Sequence, residues 1–329
     1  MHSSDKKIIR NIVKCLLLIF ISALFLIFMD FLLYPCTFMR NDIHVVSEEI
    51  PDVLILGTSA GKMGIDPEVL TEGTCLSAHN VCVGGEYPVD AYYIARLALE
   101  KGKPQQIIFE LDPGYLMTEK PKGNNYLLFY HEFPLTMSKL QYFWKILPDC
   151  DFRAMFFPFY EYPPAYELSH ILETAERKWN RDFSSENFET DVMKYHDNGF
   201  IERFPVDEED FPAYEPVLFD EELLVEENLC YIDKISELCR QNSIRFTVVI
   251  MPLPEETLSE NEESYEEAFL YFDSRFAKDG RVEYYDFNSK LYDAVSHDEE
   301  DFVDYDGHMN GEAATAFSTV LREVMGFSS

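Results

Sequence analysis

The chain has 329 residues, of which 47% are hydrophobic, so it can bury a substantial core. Its formal net charge is −33, from 60 acidic and 27 basic residues. Phosphate contacts need clustered lysine and arginine, so this balance argues against nucleic-acid binding. One basic cluster does occur, at the N-terminus, where Lys6, Lys7, Arg10 and Lys14 oppose Asp5.

The segment after this cluster is predicted to be a membrane anchor. Residues 15–34 form an apolar run of 20 residues, a length that spans the hydrocarbon core of a bilayer. Because the basic residues precede the run, the positive-inside rule predicts a cytoplasmic tail over 1–14 and an extracytoplasmic remainder. A cleaved signal peptide is the rival interpretation, but Leu32-Leu-Tyr-Pro-Cys36 offers no small-residue cleavage site. We therefore expect an uncleaved single-pass protein in the cell membrane, with a linker over 35–50 and one extracytoplasmic domain over 51–329.

Downstream of the anchor, short apolar runs alternate with helical patterns. Strands that alternate with helices form a mostly parallel sheet covered on both faces, so we expect an α/β fold. Five runs predict buried strands, at 52–57, 78–83, 106–111, 245–251 and 282–287. Helices are predicted at 88–102, 221–241, 255–275 and 311–325.

The alternation breaks between residues 113 and 220, which are predicted to be a mostly helical insertion. This stretch is rich in aromatic residues, with runs at 126–130 and 154–162. Aromatic side chains are mostly buried, so we expect these runs to form core rather than a sugar-binding platform.

Metal and cofactor sites are not expected from the sequence. The seven cysteines show no CxxC or Cys/His spacing, and Cys15 lies in the predicted anchor. Cys82, Cys230 and Cys239 lie in apolar patterns that favour small buried hydrophobic residues, while a disulfide outside the membrane stays open as an alternative. The acidic runs 207–210, 255–256 and 298–301 lack EF-hand spacing and are expected to be solvated.

The stretch LILGTSAGKMGID, residues 54–66, allows three interpretations: a phosphate-binding loop, a nucleophile loop or a plain turn. A P-loop needs four residues between its glycines and a hydroxyl after its lysine, whereas three residues separate Gly57 from Gly61 and Met63 follows Lys62. The nucleophile interpretation fits better, because Ser59 follows the end of a predicted parallel strand, where α/β sheets place ligands. A serine hydroxyl, however, needs a base to take its proton.

Among the eight histidines, His308 is the best candidate for that base. It lies in the sequence FVDYDGHMN, between the last predicted strand and the last predicted helix. Asp304 or Asp306 could orient its imidazole and stabilise the charged form, while Asn310 is expected to cap the final helix.

Four motifs together resemble the SGNH (GDSL-type) hydrolase superfamily: LGTS, NVCVGG, FELD and FVDYDGHMN. The set is most similar to its membrane-anchored bacterial branch, the DltD and AlgX/AlgJ-type proteins of cell-surface polymer acylation. The resemblance covers about 52–102 and 244 to the end. It implies a three-layer α/β/α, flavodoxin-like parallel sheet, and with the strand signals it predicts the strand order 2-1-3-4-5. It also implies that Ser59 is both nucleophile and oxyanion donor, Gly85 the second donor and His308 the base.

The chain departs from the family pattern at three of these motifs. Relatives with a GSSH start have histidine after the serine, where this chain has Ala60. The third motif normally supplies an asparagine donor, but here Glu110-Leu-Asp112 stands in its place. The catalytic acid usually lies three residues before the histidine, a position that Tyr305 occupies here. Asp304 and Asp306 flank Tyr305, and Asp304 is favoured because it keeps the Phe-x-Asp framing.

The resemblance implies an acyl esterase or O-acyltransferase that works through an acyl-serine. Its substrate would be a surface polysaccharide or teichoic-acid-like polymer, and its partner an integral-membrane O-acyltransferase. The alternative is a non-catalytic scaffold of the same fold that binds the polymer or the acyltransferase.

Overall fold

The structure is a computed structural model that describes residues 3–123, 129–160, 168–212, 217–277, 280 and 282–327. Residues 126–128 and 161–162 of the predicted aromatic runs lie outside this part. The chain forms two compact units. The anchor unit comprises Met1–Cys36, Lys122–Leu127 and Ile146–Phe183, and the sheet unit comprises Thr37–Pro121, Leu128–Lys145 and Ser184–Ser329.

Helices make up most of the regular structure of the described residues. The α-helices are α1 Ser3–Leu33, α2 Phe38–Glu48, α3 Ser59–Gly64, α4 Pro67–Leu70, α5 Pro88–Leu99, α6 Pro113–Leu116, α7 Met137–Ile146, α8 Phe152–Phe156, α9 Leu168–Asn180, α10 Glu226–Asn242, α11 Glu255–Glu260, α12 Glu262–Ala277 and α13 Gly311–Val324. Short 3-10 helices cover Pro158–Tyr160, Ser185–Phe188, Glu208–Asp210, Glu221–Leu223, Tyr292–Ala294 and Glu299–Asp301.

The anchor unit is built on α1. Its Lys6–Leu33 segment is long and apolar enough to cross a membrane, with a mean hydropathy of 2.8, and it is not buried by the protein. The C-terminal end of α1 contacts α9 and the 3-10 helix at Pro158–Tyr160. An apolar helix near the N-terminus is therefore present where the sequence predicts one.

The sheet unit is built on a five-stranded parallel sheet. Its strands are β1 Val53–Leu56, β2 Ala78–Asn80, β3 Gln106–Glu110, β6 Arg245–Ile250 and β7 Val282–Asp286. Their order in the sheet is β2-β1-β3-β6-β7, and every neighbouring pair is parallel. This is the predicted order of the five parallel strands. From β1 the chain first adds β2 on one side and then β3 on the other, so the order of strands reverses between β1 and β3. In α/β sheets, ligands bind at the carboxyl ends of the strands at such a switch point.

Both faces of this sheet are buried, which explains why its strands are continuous apolar runs. On one face, Val53, Ile55 and Ile108 join a core cluster with Phe317 and Leu321 of α13. On the other face, alternate residues such as Leu54 and Leu56 are also fully buried. Helix α13 packs on α3 and α4, while α5 packs on α10.

The structure adds two elements that the sequence did not predict, a helix in the linker and a hairpin in the insertion. Phe38–Glu48 of the expected 35–50 linker is helix α2, and Asn41 and Asp42 on its inner face are buried. In its described residues the regular structure of the insertion is mostly helical, as expected, and it also contains a short antiparallel hairpin that was not predicted, β4 Met193–Tyr195 with β5 Ile201–Arg203. Three-residue strands carry too little periodicity to be recognised in a sequence.

The aromatic side chains of the insertion divide into two groups. Phe129, Tyr130 and Phe133 are buried, and the rings of Tyr130 and Phe133 pack against the fully buried Tyr142. Phe156 of the second run is largely exposed, against the expectation that the runs form core, and so are Trp144, Phe152 and Trp179 outside the runs.

Candidate active site

Ser59 begins α3 directly beyond the carboxyl end of β1. Gly57, at the turn, has a φ of 142°, and a Cβ there would lie 2.6 Å from the Glu110 carbonyl oxygen. Only glycine therefore allows the chain to turn this close to β3. Thr58 is the N-cap residue of α3, and its hydroxyl accepts a hydrogen bond from the Ala60 N–H. The turn leaves the Ser59 side chain at the helix N-terminus, facing the carboxyl edge of the sheet.

His308 lies in the loop between β7 and α13. Phe302 and Met309 pair across this loop, and the Val303 N–H donates to the His308 carbonyl at 2.8 Å. The Asn310 side chain caps α13, as the sequence predicts. The closed loop places His308 Nε2 2.7 Å from Ser59 Oγ, although 249 residues separate the two in sequence.

Asp304 completes a hydrogen-bonded chain of three side chains. Its Oδ2 lies 2.7 Å from His308 Nδ1, and its Oδ1 accepts hydrogen bonds from the backbone N–H groups of Asp306 and His308. Of the two acids that the sequence left open, Asp304 is thus the one that touches the imidazole. Ser59, His308 and Asp304 have the connectivity of a nucleophile, a base and an orienting acid.

The electrostatics of this chain suit a general base. Burial lowers the pKa of His308, but the hydrogen bond and charge of Asp304 outweigh this effect, and the pKa lies above its ordinary value. Burial, together with the Asp304 charge, raises the pKa of Asp306. Ligand atoms of Asp304, Asp306 and His308 lie within 4.8 Å of one another, a grouping that could hold a metal ion. Both ring nitrogens of His308 already have hydrogen-bond partners, Asp304 and Ser59. A cation bound to His308 would therefore have to break one of these two hydrogen bonds.

Two backbone N–H groups lie where an oxyanion could form. Ser59 is the first residue of α3, so its N–H has no partner within the helix. Gly84 adjoins the nucleophile, since a Cβ at this residue would lie 3.5 Å from Ser59 Oγ. The next residue, Gly85, donates its N–H to the Tyr115 hydroxyl at 3.0 Å. Tyr115 therefore occupies the position that an oxyanion would take on this donor.

Asp112 supports this tyrosine. It caps the short helix α6, and its Oδ1 accepts the Gly114 N–H at 2.7 Å. Burial raises the pKa of the Asp112 carboxyl. Asp112 thus starts the turn that carries Tyr115 to the Gly85 N–H.

Two further carboxyl groups lie buried beneath the nucleophile loop. Glu110, 1% exposed, accepts the Thr58 N–H through Oε2. Burial, reinforced by the Asp112 charge, raises its pKa to about 7. Burial is the main cause that raises the pKa of Glu86 well above its ordinary value, and the charge of Asp90 adds to it.

Lys62, the lysine of the quoted stretch, points away from the site into a buried charge cluster. Its Nζ lies 2.9 Å from Asp42 Oδ2 of α2 and donates to the Asn80 carbonyl at 2.8 Å. His79 Nε2 and the Tyr195 hydroxyl both contact Asp42 Oδ1, at 2.9 and 2.7 Å. Burial raises the pKa of Asp42, but the Lys62 charge and the His79 hydrogen bond reverse this and leave it lowered. Lys62 is thus a buried ion-pair partner.

Arg203 of β5 is a basic residue whose charge acts on His308 in the hydrogen-bonded chain of Ser59, His308 and Asp304. That charge lowers the pKa of His308. Within the described part of the chain, the Arg203 Nε is buried and has no hydrogen-bond partner.

No protein-family model and no curated protein matches this chain. The candidate site therefore stands on its own geometry. The sequence named Ser59, His308, Asp304 and Gly85, which the structure brings together, and Asp306, which contacts Asp304 only through its backbone. It missed Tyr115, for which the Asp-Pro-Gly-Tyr turn directly after a strand was the available signal, and the pairing of Lys62 with Asp42, for which there was none.

Proposed function

We propose that this protein is a membrane-anchored, SGNH-like serine esterase or O-acyltransferase whose main domain lies outside the cytoplasm. The observation that carries the proposal is the continuous hydrogen-bonded chain from Ser59 through His308 to Asp304 at the carboxyl edge of the sheet. The substrate class is an O-acylated surface polysaccharide or teichoic-acid-like polymer, and the expected partner is an integral-membrane O-acyltransferase.

The reaction begins when Ser59 Oγ attacks the carbonyl carbon of an ester and His308 Nε2 takes the hydroxyl proton. Asp304 stabilises the resulting imidazolium through Nδ1. The negative oxygen of the tetrahedral intermediate accepts hydrogen bonds from the Ser59 and Gly85 N–H groups. Each such donor lowers the barrier by about 2.7–4 kcal/mol.

The intermediate collapses when the ester C–O bond breaks and His308 returns its proton to the leaving alcohol. This leaves an acyl-Ser59 ester. His308 then takes a proton from water, which gives hydrolysis, or from a sugar hydroxyl, which gives transfer. Attack on the acyl carbon and release of Ser59 regenerate the starting state in both cases.

Support for SGNH-type chemistry comes from the order of the four motifs along the chain and the flavodoxin-like strand order. Support for an outside location comes from the basic residues that precede α1. The rival proposal is a non-catalytic scaffold, in which Ser59 and His308 have only a structural role and the protein turns over no substrate.

A fluorophosphonate probe separates the two proposals. The full-length protein in detergent should gain one probe mass, located on Ser59 by peptide mapping, and should hydrolyse a small acetyl ester. Ser59→Ala should lose both properties, whereas Ser259→Ala, which removes an exposed hydroxyl outside the site, should keep them. A chelator should change neither property. A well-folded wild-type protein that shows neither labelling nor turnover would favour the scaffold.

A further inference from the structure

Helix α9 carries an apolar stripe that the described protein does not cover. Leu168, Leu172 and Trp179 recur at helical spacing and are 70%, 61% and 81% exposed. At 100° per residue these three side chains lie within about 40° of one another around the helix. Charged and polar side chains take the remaining faces, so α9 is strongly amphipathic. Solvent-exposed stripes of this kind mark interaction surfaces.

The location of α9 in the anchor unit indicates what covers this stripe. The Lys178 ammonium, in the last turn of α9, donates to the carbonyl oxygens of Phe31 at 3.0 Å and of Tyr34. The Phe159 N–H, just before α9, donates to the Asp30 carboxylate at 3.2 Å. These contacts hold Lys178 of α9, and Phe159 of the 3-10 helix at Pro158–Tyr160, at the C-terminal end of α1.

The length of α1 fixes where that end lies in a membrane. The 20 residues from Cys15 to Tyr34 rise by about 30 Å, which is the thickness of the hydrocarbon core. With Lys14 at one boundary, Tyr34 lies at the other. Lys178 then lies at headgroup level, where lysine and tryptophan are both favoured.

We infer that the apolar stripe of α9, formed by Leu168, Leu172 and Trp179, lies in the lipid interface beside the end of α1. The anchor unit thus attaches to the bilayer at two places, through a span and through an interfacial helix. Phe152 of α8, 60% exposed in the same unit, adds apolar surface. Helix α9 has two acidic and two basic residues, so apolar contact rather than charge drives this attachment.

The test uses the full-length protein in vesicles of phosphatidylcholine whose acyl chains carry bromine. Bromine atoms quench tryptophan fluorescence on contact. The chain has two tryptophans, so Trp144→Phe leaves Trp179 as the single reporter. The matched control replaces both tryptophans with phenylalanine and adds Asn180→Trp, which moves the reporter about 100° around the same turn. Brominated lipid should reduce Trp179 emission about twofold or more, and the control should change much less.

Each other outcome overturns the inference. Quenching of Trp179 by aqueous iodide, with no effect of brominated lipid, would mean that the stripe faces water. Protection from both quenchers would mean that protein covers the stripe. If this protection were lost when the protein is diluted in the vesicles, the covering protein would be a second copy of this chain. Leu172→Glu should reduce lipid quenching of Trp179, and high salt should leave it unchanged. Because the readout is fluorescence, failure of this test leaves the esterase proposal untouched.

Discussion

The sheet unit contains two histidine–aspartate pairs that resemble each other closely in distance. His308 lies 2.7 Å from Asp304, and His79 lies 2.9 Å from Asp42. The second nitrogen of His308 meets Ser59 Oγ, and the His308 and Asp304 side chains are 18% and 13% exposed. In the other pair the side chains are 3% and 0% exposed, and Asp42 also holds Lys62 and Tyr195.

On the proposed function, the difference separates a catalytic base from a histidine that is paired with a carboxylate for structural reasons. What matters is whether the other nitrogen faces a nucleophile that substrate can reach. His79 and Asp42 instead satisfy each other inside the protein and fix α2 against the strand that carries His79. Both pairs act on α3, because Ser59 begins this helix and Lys62 lies one turn further along.

Substitution of each histidine by alanine should separate these two roles most clearly. His308→Ala should reduce kcat for a small ester by at least about 10⁴-fold, because the members of such a chain act as one unit. Its thermal midpoint should change little. His79→Ala should destabilise the protein by about 3 kcal/mol, since it breaks a buried ionic network, while activity per folded molecule below the melting transition should persist. Ester kinetics and thermal unfolding of both variants check the pair. Equal losses of activity would show that both histidines serve the reaction.

Asp304→Asn should have the next largest effect, about 10³–10⁴-fold on kcat/KM, because the imidazole loses its orienting and charge-stabilising partner. Activity requires neutral His308, so it falls as pH drops through the His308 pKa. Asp304 raises this pKa and Arg203 lowers it. The acidic limb of the pH profile should therefore move to lower pH in Asp304→Asn and to higher pH in Arg203→Gln.

Glu110→Gln is the control for that profile, because the pKa of Glu110, about 7, lies in the same range. This variant should leave the limb where it is. A limb that disappears in Glu110→Gln would assign the titration to Glu110 instead of His308.

Lys62→Met should destabilise the protein by about 3–5 kcal/mol, because it leaves the Asp42 charge buried without its cation. The double variant Asp42→Asn/Lys62→Met should recover part of this loss, since neither charge then remains. Denaturant unfolding of the two single variants and the double variant gives the coupling energy. Additive losses would contradict a direct ion pair. Recovery of stability without recovery of activity would show that the pair also positions Ser59.

The parts of the site that the sequence revealed are those with local signals. Ser59 follows a strand, and His308 lies within a few residues of its acid, so a linear pattern contains both. The contact between Lys62 and Asp42 is invisible in the sequence, because it joins a helix inside a supposed linker to the nucleophile helix. The strand order followed from apolar runs and the family resemblance, whereas the β4–β5 hairpin, with three residues per strand, left no periodicity. The exposed stripe of α9 was hidden because aromatic composition alone does not state which face of a helix is covered.

Tyr115→Phe should have the smallest effect, and it tests the least expected feature of the site. The tyrosine hydroxyl accepts the Gly85 N–H in the structure, so an incoming oxyanion must displace it. A displaced hydroxyl beside the same N–H can donate its own proton to the oxyanion and act as a third donor beside the Ser59 and Gly85 N–H groups.

On this basis Tyr115→Phe should lower kcat about 10- to 100-fold, with KM little changed, somewhat less than the loss of a full oxyanion donor. Steady-state kinetics on a small ester measure the two constants separately. Tyr87→Phe is the matched control, since its ring packs on Tyr115 and its hydroxyl bonds to Thr118. A faster Tyr115→Phe enzyme would mean that the hydroxyl is a plug that the substrate must remove, and Gly85 and Ser59 would then be sufficient donors.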